Sequence, residues 1–457
     1  MEAQKVSTIL KWNAIALEAN KVDFSGPKPT QGGPTLSSRA LALVHIAMYD
    51  AHFGATGFVG GNNPFLTGLA PAPVGTSTSD AAASAAHATL SHLYPDQAAF
   101  FDSLHCEPAN AFGESVAKAA LASGFGEFSP TAGIPNPVPY PRRGDRYKHQ
   151  VDPFNPMQAL HGALYGRSKR FAVVKPILLS APSLPGTKAY DDDAKEVLEK
   201  GAHAGYRELK RTPDETMIGQ FWAYDGVPLI GTPPRLYNQI VRRIMQLRGT
   251  ILPNDQIRLL TLVNVAMGDS GILAWHEKFT HDFWRPVVGI RQHDPSTGPA
   301  PAPGTISDAI ADPFWQPLGA PFTNGTQMRF TPPFPAYPSG HATFGAAALQ
   351  MVRRFYGHSG NGDDQIDFDL VSDEQNGSSQ SEGNLRTRHS RKFSSCLQAI
   401  YENSVSRVFL GVHWRFDGLE GDSFAKFKTL LPKSRVGGVP LGISIANDIF
   451  DGKMKKP

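Results

Sequence analysis

The sequence predicts a mostly α-helical protein, and three observations carry that prediction. Apolar residues recur at helical spacing in long segments, cap and proline signals bracket those segments, and no region is rich in strands. Ser37-Ser38 offers an N-cap to ALALVHIAMYDAHF, whose Leu41, Val44, Ile46 and Met48 lie at helical spacing. Asp80 opens an alanine-rich helix stopped by Pro95, and shorter helices are expected over 96–104 and 112–123. Residues 127–160 and 175–188 lose periodicity and gather Pro and Gly, which predicts long surface loops and a weak boundary. That boundary divides the chain into an N-terminal helical unit, 1–190, and a C-terminal one, 191–457. Helices are then expected from Asp191 to Gly201, Glu215 to Ala223, Pro233 to Leu247, and from an Asn254 cap to just before Arg285-Pro286. His341–Tyr356, Arg391–Phe409 and a last helix near Asp422–Leu431 follow, with an irregular tail after it. The polar segment 359–386 reads as an exposed loop.

Composition narrows the function classes. With 457 residues the chain can bury a large core without staples. Its 44 Gly and 38 Pro make nearly one residue in five, short of the roughly 25–30% that marks low complexity, so long ordered loops are expected. The net charge is +3 and no run of five Lys or Arg occurs, which argues against a nucleic-acid footprint. No stretch of 18 apolar residues occurs, so no transmembrane helix or membrane partner is expected. Cys106 and Cys396 are the only cysteines, and two buried free thiols are expected rather than a disulfide. The N-terminus is broken by Lys11 and Glu18 and has no secretory apolar stretch, which leaves secreted and cytoplasmic locations both open.

Three separated segments carry chemistry. Lys278 and Arg285 stand seven apart, two helical turns on one face if the helix continues. Alone they would read as a solvated surface pair. Pro338-Ser339-Gly340-His341 puts a hydroxyl and backbone N–H groups at a helix start, where an anion is favoured, with His341 in the first turn. Alone it would equally be a serine cap beside an incidental histidine. Ser406-Arg407 leads to Gly411, a left-handed stop that throws His413 off the helix while Arg407 stays on its last turns. Cations at such an end are common. Together the segments give three cations, an amide nest and two histidines. That set suits a tetrahedral oxyanion, either phosphate or vanadate. Zinc is disfavoured, because no H-E-x-x-H or cysteine pair accompanies the cations.

The pattern Lys-x6-Arg-Pro, Pro-Ser-Gly-His and Ser-Arg-x3-Gly-x-His-x3-Asp, at Lys278 to Arg285-Pro286, 338–341 and 406–417, resembles the signature of one superfamily. It joins type 2 phosphatidic acid phosphatases, bacterial acid phosphatases and vanadium haloperoxidases. The flanking FWAYDGVPLIGTPPRLYNQIVRRI (221–244), PPFPAYPSGHATFGAA (332–347) and ENSVSRVFLGVHWRFD (402–417) are similar to the fungal chloroperoxidase type of vanadium haloperoxidase. Region 54–220 is harder to match. The resemblance implies two four-helix bundles with the site at one end of the C-terminal one.

The resemblance also assigns roles. His413 would bind vanadium, while Lys278, Arg285, Ser339, Gly340 and Arg407 would hold the oxygens of vanadate, with phosphate an occupant of the vanadate-free site. His341 would be the acid–base group, Asp225 would hold Arg407, and Asp417 would orient His413. Trp275 and Phe334 would line the halide pocket, although a plain core role is as natural for Trp275. Hydrogen peroxide, halide and small organic acceptors would be the partners, with a monomer favoured. Many bromoperoxidases of this superfamily carry histidine at the position of Phe334, so Phe334 with Trp275 implies chloride oxidation as well as bromide oxidation. The alternative is a soluble acid phosphatase, with His413 as nucleophile forming a phosphohistidine and His341 protonating the leaving group.

Overall fold

The computed structural model describes residues 6–26, 28–59, 62–127, 147–175, 177, 179–205, 208–292, 310–360, 362–452 and 454. The expected loop over 127–160 lies largely outside them. The first helices are α1 (Thr8–Asp23), α2 (Gly33–Gly54), α3 (Thr78–Leu93), α4 (Ala98–Leu104) and α5 (Ala111–Leu121). Then come α6 (Lys188–Lys200), α7 (Pro213–Phe221), α8 (Pro233–Leu247), α9 (Pro253–His281) and α10 (Pro286–Gln292). The last are α11 (Gly340–Phe355), α12 (Cys396–Phe409), α13 (Phe424–Leu430) and α14 (Gly438–Asp451). The class is all-α, as the periodicity predicts. Described strands are confined to three two-stranded ribbons.

Helix α9 is the axis of the molecule. It packs against α2 on the N-terminal side and against α11 and α14 on the C-terminal side. One apolar core runs without a break from Trp12 in α1 to Ile449 in α14, drawing side chains from both sides of residue 190. By length and composition α9 could cross a membrane, but 94% of its most apolar window is buried inside the protein. Its apolar surface is therefore already covered by neighbouring helices. Polar side chains fix the register of this packing. Asn13 on α1 bonds Asn238 on α8 at 3.2 Å, and Asn238 bonds Asn264 on α9 at 2.8 Å, all fully buried. Three such self-satisfied amides specify one arrangement of helices.

Several boundaries differ from the expected ones. Ser37 and Ser38 lie inside α2, because Pro34 already sets the first turn and their hydroxyls bond back to Gly33 and Thr35 carbonyls. Pro253 starts α9 in the same way, and Asn254 instead accepts from His52 Nε2 at 2.7 Å. Residues 390–393 are a strand, not the start of α12. β2 (Ser390–Phe393) pairs antiparallel with β1 (Phe368–Val371). Segment 359–386 is thus no simple exposed loop. Its Asp364 is buried against Arg353 of α11 at 2.8 Å and accepts the N–H groups of Cys396 and Leu397, so one carboxylate ties α11 to the start of α12. The expected irregular tail contains α14, whose Pro440 in the first turn is compatible with a helix start. Cys396 is buried but Cys106 is exposed; both are free.

Asp269 of α9 is fully buried and accepts the backbone N–H groups of Phe171, Ala172 and Val173 at 2.6–2.8 Å, pinning an otherwise irregular stretch to the axis. Asp269→Ala leaves three buried donors unpaired. Denaturant unfolding of the variant is expected to show a loss of roughly 3 kcal/mol or more; a loss below about 1 kcal/mol would show that the contact is dispensable.

Candidate active site

Three helix ends meet on one side of the axis. Lys278 is in the last turn of α9, Ser339 caps α11, and Arg407 is in the last turn of α12. Arg285 does not share a helix face with Lys278. α9 stops at Asp282, which is left-handed at φ 52°, and Arg285 stands just ahead of Pro286 at the start of α10. The two cations still converge, and both are fully buried, so neither is a surface residue.

Carbonyls and carboxylates hold these cations. Lys278 Nζ donates to the carbonyls of Pro335 at 2.7 Å and Ala336 at 2.9 Å. Arg285 donates from Nε to Phe334 O at 2.9 Å, and from Nη1 to Val412 O and His413 Nε2, each at 2.8 Å. Arg407 makes a bidentate pair with Asp225 at 2.8 and 3.0 Å. Asp225 is presented by a turn in which Tyr224 and Gly226 both have positive φ, 44° and 79°. Arg407 Nε is buried with no hydrogen-bond partner among the described residues.

The two histidines are fixed in opposite senses. Gly411, at φ 71°, ends α12 and frees His413 from it. His413 Nδ1 donates to Asp417 Oδ2 at 2.8 Å, so its Nε2 lone pair is the atom that accepts from Arg285. Asp417 also accepts the Trp414 N–H, and its carbonyl accepts the Ser339 N–H at 2.7 Å, which joins the second motif to the third. α6 steadies that turn: Asp193 accepts from Phe416 N and Glu196 from Arg415. His341 Nε2 donates to the Ala223 carbonyl at 2.5 Å, leaving Nδ1 as the basic atom of the neutral ring.

Burial sets the protonation states. It pushes His341 well below the ordinary histidine range, helped by Arg407, and does the same to His413, helped by Arg285 and Lys278. Lys278, which the sequence presents as a permanent cation, is pushed well below the lysine range by burial and by Arg285. Burial raises Asp417 to about 8 against the pull of Lys278 and Arg285, and raises Asp225 against that of Arg407.

A cavity of about 420 Å³ opens onto this cluster. Asp225, Trp275, Phe334, Gly340, His341, Arg407 and His413 line it, while Lys278, Arg285, Ser339 and Asp417 lie behind its surface. Trp275 and Phe334 pack at 4.7 Å between ring centres, and Lys278 Nζ lies 5.2 Å from the Phe334 centre and 5.7 Å from a Trp275 ring centre. Trp275 is fully buried, so it is both core and wall. Among the wall residues that sequence reasoning missed are Gln158 and His161. His161 bonds Thr35 through Nε2 at 3.0 Å, takes the Trp275 indole N–H on its carbonyl, and is pushed to about 4 by burial. Both lie in an aperiodic stretch that offered no cue. Tyr237, whose hydroxyl bonds the His341 carbonyl at 2.9 Å, looked like any core residue of α8.

This donor set fits a tetrahedral oxyanion. Two guanidiniums and the Lys278 amine, which a bound anion would favour in its protonated form, face two carboxyl groups that burial disfavours as anions, one guanidinium N–H is an orphan, and the first amides of α11 have no partner within the helix.

Known proteins resemble this chain along nearly its whole length. A family model described as the vanadium chloroperoxidase N-terminal domain matches residues 2–100, and one described as the VCPO second helical-bundle domain matches residues 258–427. The vanadium chloroperoxidase of Curvularia inaequalis is 34% identical over 571 aligned positions, covering 99% of this chain and 91% of that protein. Among solved structures, a bacterial vanadium-dependent iodoperoxidase superposes with a TM-score of 0.68 at 20% identity, covering 98% of this chain and 95% of that one. A holo bacterial vanadium-dependent chloroperoxidase gives 0.61 at 16% identity, covering 99% and 98%. These two show the shared fold.

Anion binding should also move protons. Lys278, His341 and His413 are all depressed in the anion-free site, so an anion raises them and the protein takes up protons in the range where they titrate. Titration of vanadate-free protein with inorganic sulfate, a tetrahedral oxyanion that carries no titrating proton of its own near neutrality, in two buffers of different ionisation enthalpy, should give net proton uptake. Arg407→Ala should weaken sulfate by roughly tenfold or more. Net proton release would contradict the assigned charge states.

Proposed function

The chain belongs to the vanadium chloroperoxidase family, and on that premise we propose that it is a vanadate-dependent haloperoxidase of the chloride-oxidising type. It takes hydrogen peroxide and halide to hypohalous acid, which halogenates organic acceptors. The observation that carries this reading is a buried oxyanion cage joined to a histidine whose Nδ1–H is held by Asp417 and whose Nε2 lone pair points at the cage.

Lys278, Arg285, Ser339, Gly340 and Arg407 would hold the oxygens of vanadate, and His413 Nε2 would bind the vanadium. Phosphate would take the same donors in the vanadate-free protein. When bound, vanadate supplies a Lewis acid that activates hydrogen peroxide toward halide. Asp417 fixes the His413 tautomer so that the lone pair is available. Asp225 fixes the Arg407 fork. Arg285, which covers His413 Nε2 in this structure, exchanges that contact for the anion. His341 Nδ1 takes and returns a peroxide proton; burial keeps the ring neutral and able to accept. Lys278, once protonated, would place positive charge beside the oxygens of the bound anion, and the low-dielectric wall of Trp275 and Phe334 would strengthen it.

His413→Ala is expected to lose halogenation and most tight vanadate binding in a vanadate titration; unchanged affinity removes His413 from the ligand role. His341→Ala should keep vanadate while turnover falls by roughly 100-fold or more. Phosphate-ester hydrolysis by the vanadate-free protein, with no peroxide-dependent halogenation after reconstitution, would establish the phosphatase alternative.

The chloride assignment rests on Phe334 and Trp275. Neither titrates, and neither offers a charged donor to compete with Lys278 for the reacting oxygen. Wild type should chlorinate at mildly acidic pH with saturating peroxide, and Phe334→His should lose chlorination more than bromination. A wild type that brominates yet shows no chlorination above the vanadate-free control overturns the chloride type alone.

A further inference from the structure

A second cavity, of about 250 Å³, lies behind one wall of the first. That wall is a two-stranded ribbon in which Pro321 pairs with Arg329 and Ala320 with Phe330. Side chains alternate across a strand, so Phe330 and nearby Phe322 line the cavity over the cage while Pro321 and Arg329 line the second one. Arg386 shares this second lining and is only 7% exposed. Neither guanidinium makes a side-chain hydrogen bond among the described residues. Their nearest carboxylates stand off: Glu382 lies 3.5 Å from Arg329, and Glu374 lies 3.8 Å from Arg386. Glu374 already accepts from Thr323 Oγ1 at 2.6 Å, and burial raises it to about 7 against the pull of Arg386, so it offsets that charge only in part. Nη1 of each arginine is enclosed, which leaves Nε and Nη2 to serve the cavity. His203 accepts the Gly205 N–H at Nδ1, so its Nε2–H is a further donor on the same lining. A buried guanidinium without hydrogen bonds is costly, and an oxyanion would satisfy it. The rest of the lining is aliphatic, with Leu318, Met328, Leu385 and Leu410.

We propose that this second cavity binds a small aliphatic carboxylate, with its oxygens on Arg386 and Arg329 and its carbon end against Leu318, Leu385 and Leu410. The site is separate from the vanadate cage and depends on no step of the halogenation chemistry. Its volume is several times the roughly 30 Å³ that a water takes in the liquid, enough for a carboxylate and a few carbons. Two guanidiniums against Glu382 leave positive charge in excess, which suits a monoanion better than a doubly charged oxyanion. A planar carboxylate matches the guanidinium fork, and the aliphatic lining selects an organic anion over an inorganic one. Glu382 sits on a turn at φ 51° with its side chain 42% exposed, so it can turn to water as the guest takes its place beside Arg329. The bound guest lies against Leu410, one residue before Gly411, and against the back of the ribbon. It therefore braces both the end of α12 and the wall that carries Phe330.

3-Methylbutanoate is the probe, because its branched end matches the leucine lining and it brings no aromatic ring to the cavity over the cage. Vanadate-loaded protein in chloride-free buffer keeps the cage filled. Proton NMR titration, read from broadening of the probe's methyl signals, should give one site of roughly millimolar affinity, as so small a ligand allows. Arg386→Gln should weaken it roughly tenfold or more. Leu385→Asp should also weaken it, by roughly threefold or more, because it sets a like charge on the lining. Position 385 is 63% exposed, so this variant keeps the test open if circular dichroism shows that Arg386→Gln does not fold. Arg407→Ala, which strips a cation from the cage, should leave the probe's affinity unchanged. Sulfate should bind this site roughly tenfold more weakly than the probe. Absence of binding, equal affinity in wild type and the folded lining variants, sulfate as tight as the carboxylate, or displacement of the probe by vanadate each overturns the proposal. A protein that fails to hold vanadate counts against the haloperoxidase reading alone, and the comparison of wild type, Arg386→Gln and Arg407→Ala still decides this site.

Discussion

The structure depends on the burial of Lys278, Arg285 and Arg407 at one end of a helical bundle. An isolated buried ion costs several kcal/mol after relaxation, so three close together cannot persist on packing alone. The surrounding chain answers with acceptors. Asp225 takes Arg407, and four carbonyls, those of Phe334, Pro335, Ala336 and Val412, take the other two. The run Pro332-Pro333-Phe334-Pro335-Ala336 suits this task. Proline has a carbonyl but no N–H, so a proline-rich segment can turn oxygens inward while burying fewer donors that need partners. Its rigidity holds Phe334 beside Lys278. The same few residues therefore neutralise the cage from below and wall it from the side.

How far the sequence discloses all this varies with the kind of signal. α8 is legible to the residue because Pro233 and the apolar stripe of an amphipathic helix mark it. α14 escapes because its run of Gly, Pro and Ile after an irregular stretch resembles a tail, and burial against α11 rather than periodicity makes it a helix. β1 and β2 escape because each has only four residues and Asp, Lys and Arg dominate their exposed sides. In the site, Ser339, His341, Arg407 and His413 are readable because each sits at a helix end, where residue type and position carry physical meaning. Lys278 and Arg285 are readable as residues but not as geometry: the left-handed Asp282 between them breaks the helix that their spacing suggests. Gln158 and His161 come from a stretch with no local pattern, and only tertiary packing places them.

The cage and the aromatic cavity depend on each other. Apolar walls lower the local dielectric, which strengthens every interaction between the cage and a bound anion. The same walls raise the cost of the bare charges, which is why Lys278, His341 and His413 are all biased toward their neutral forms. An empty cage is thus poised to bind both an anion and protons. Moving Trp275 or Phe334 would weaken both effects at once, because each ring is a near neighbour of Lys278.

The two histidines show how one environment yields two roles. Both are buried and both feel the same cations, so their bulk surroundings do not distinguish them. The distinction comes from the partner each ring is given. A carboxylate at Nδ1 gives His413 a fixed proton there and a lone pair at Nε2, the arrangement a ligand or nucleophile requires, and Asp417 can support positive charge on the ring. A backbone carbonyl at Nε2 gives His341 the opposite tautomer, and the carboxylate near that atom, Asp225 at 3.9 Å, is already committed to Arg407, so the ring is oriented but gains less support for the charged form. Such a histidine can accept a proton and must give it back. The assignment of ligand to one and proton carrier to the other therefore follows from a carboxylate four residues away at 417 and a carbonyl at 223.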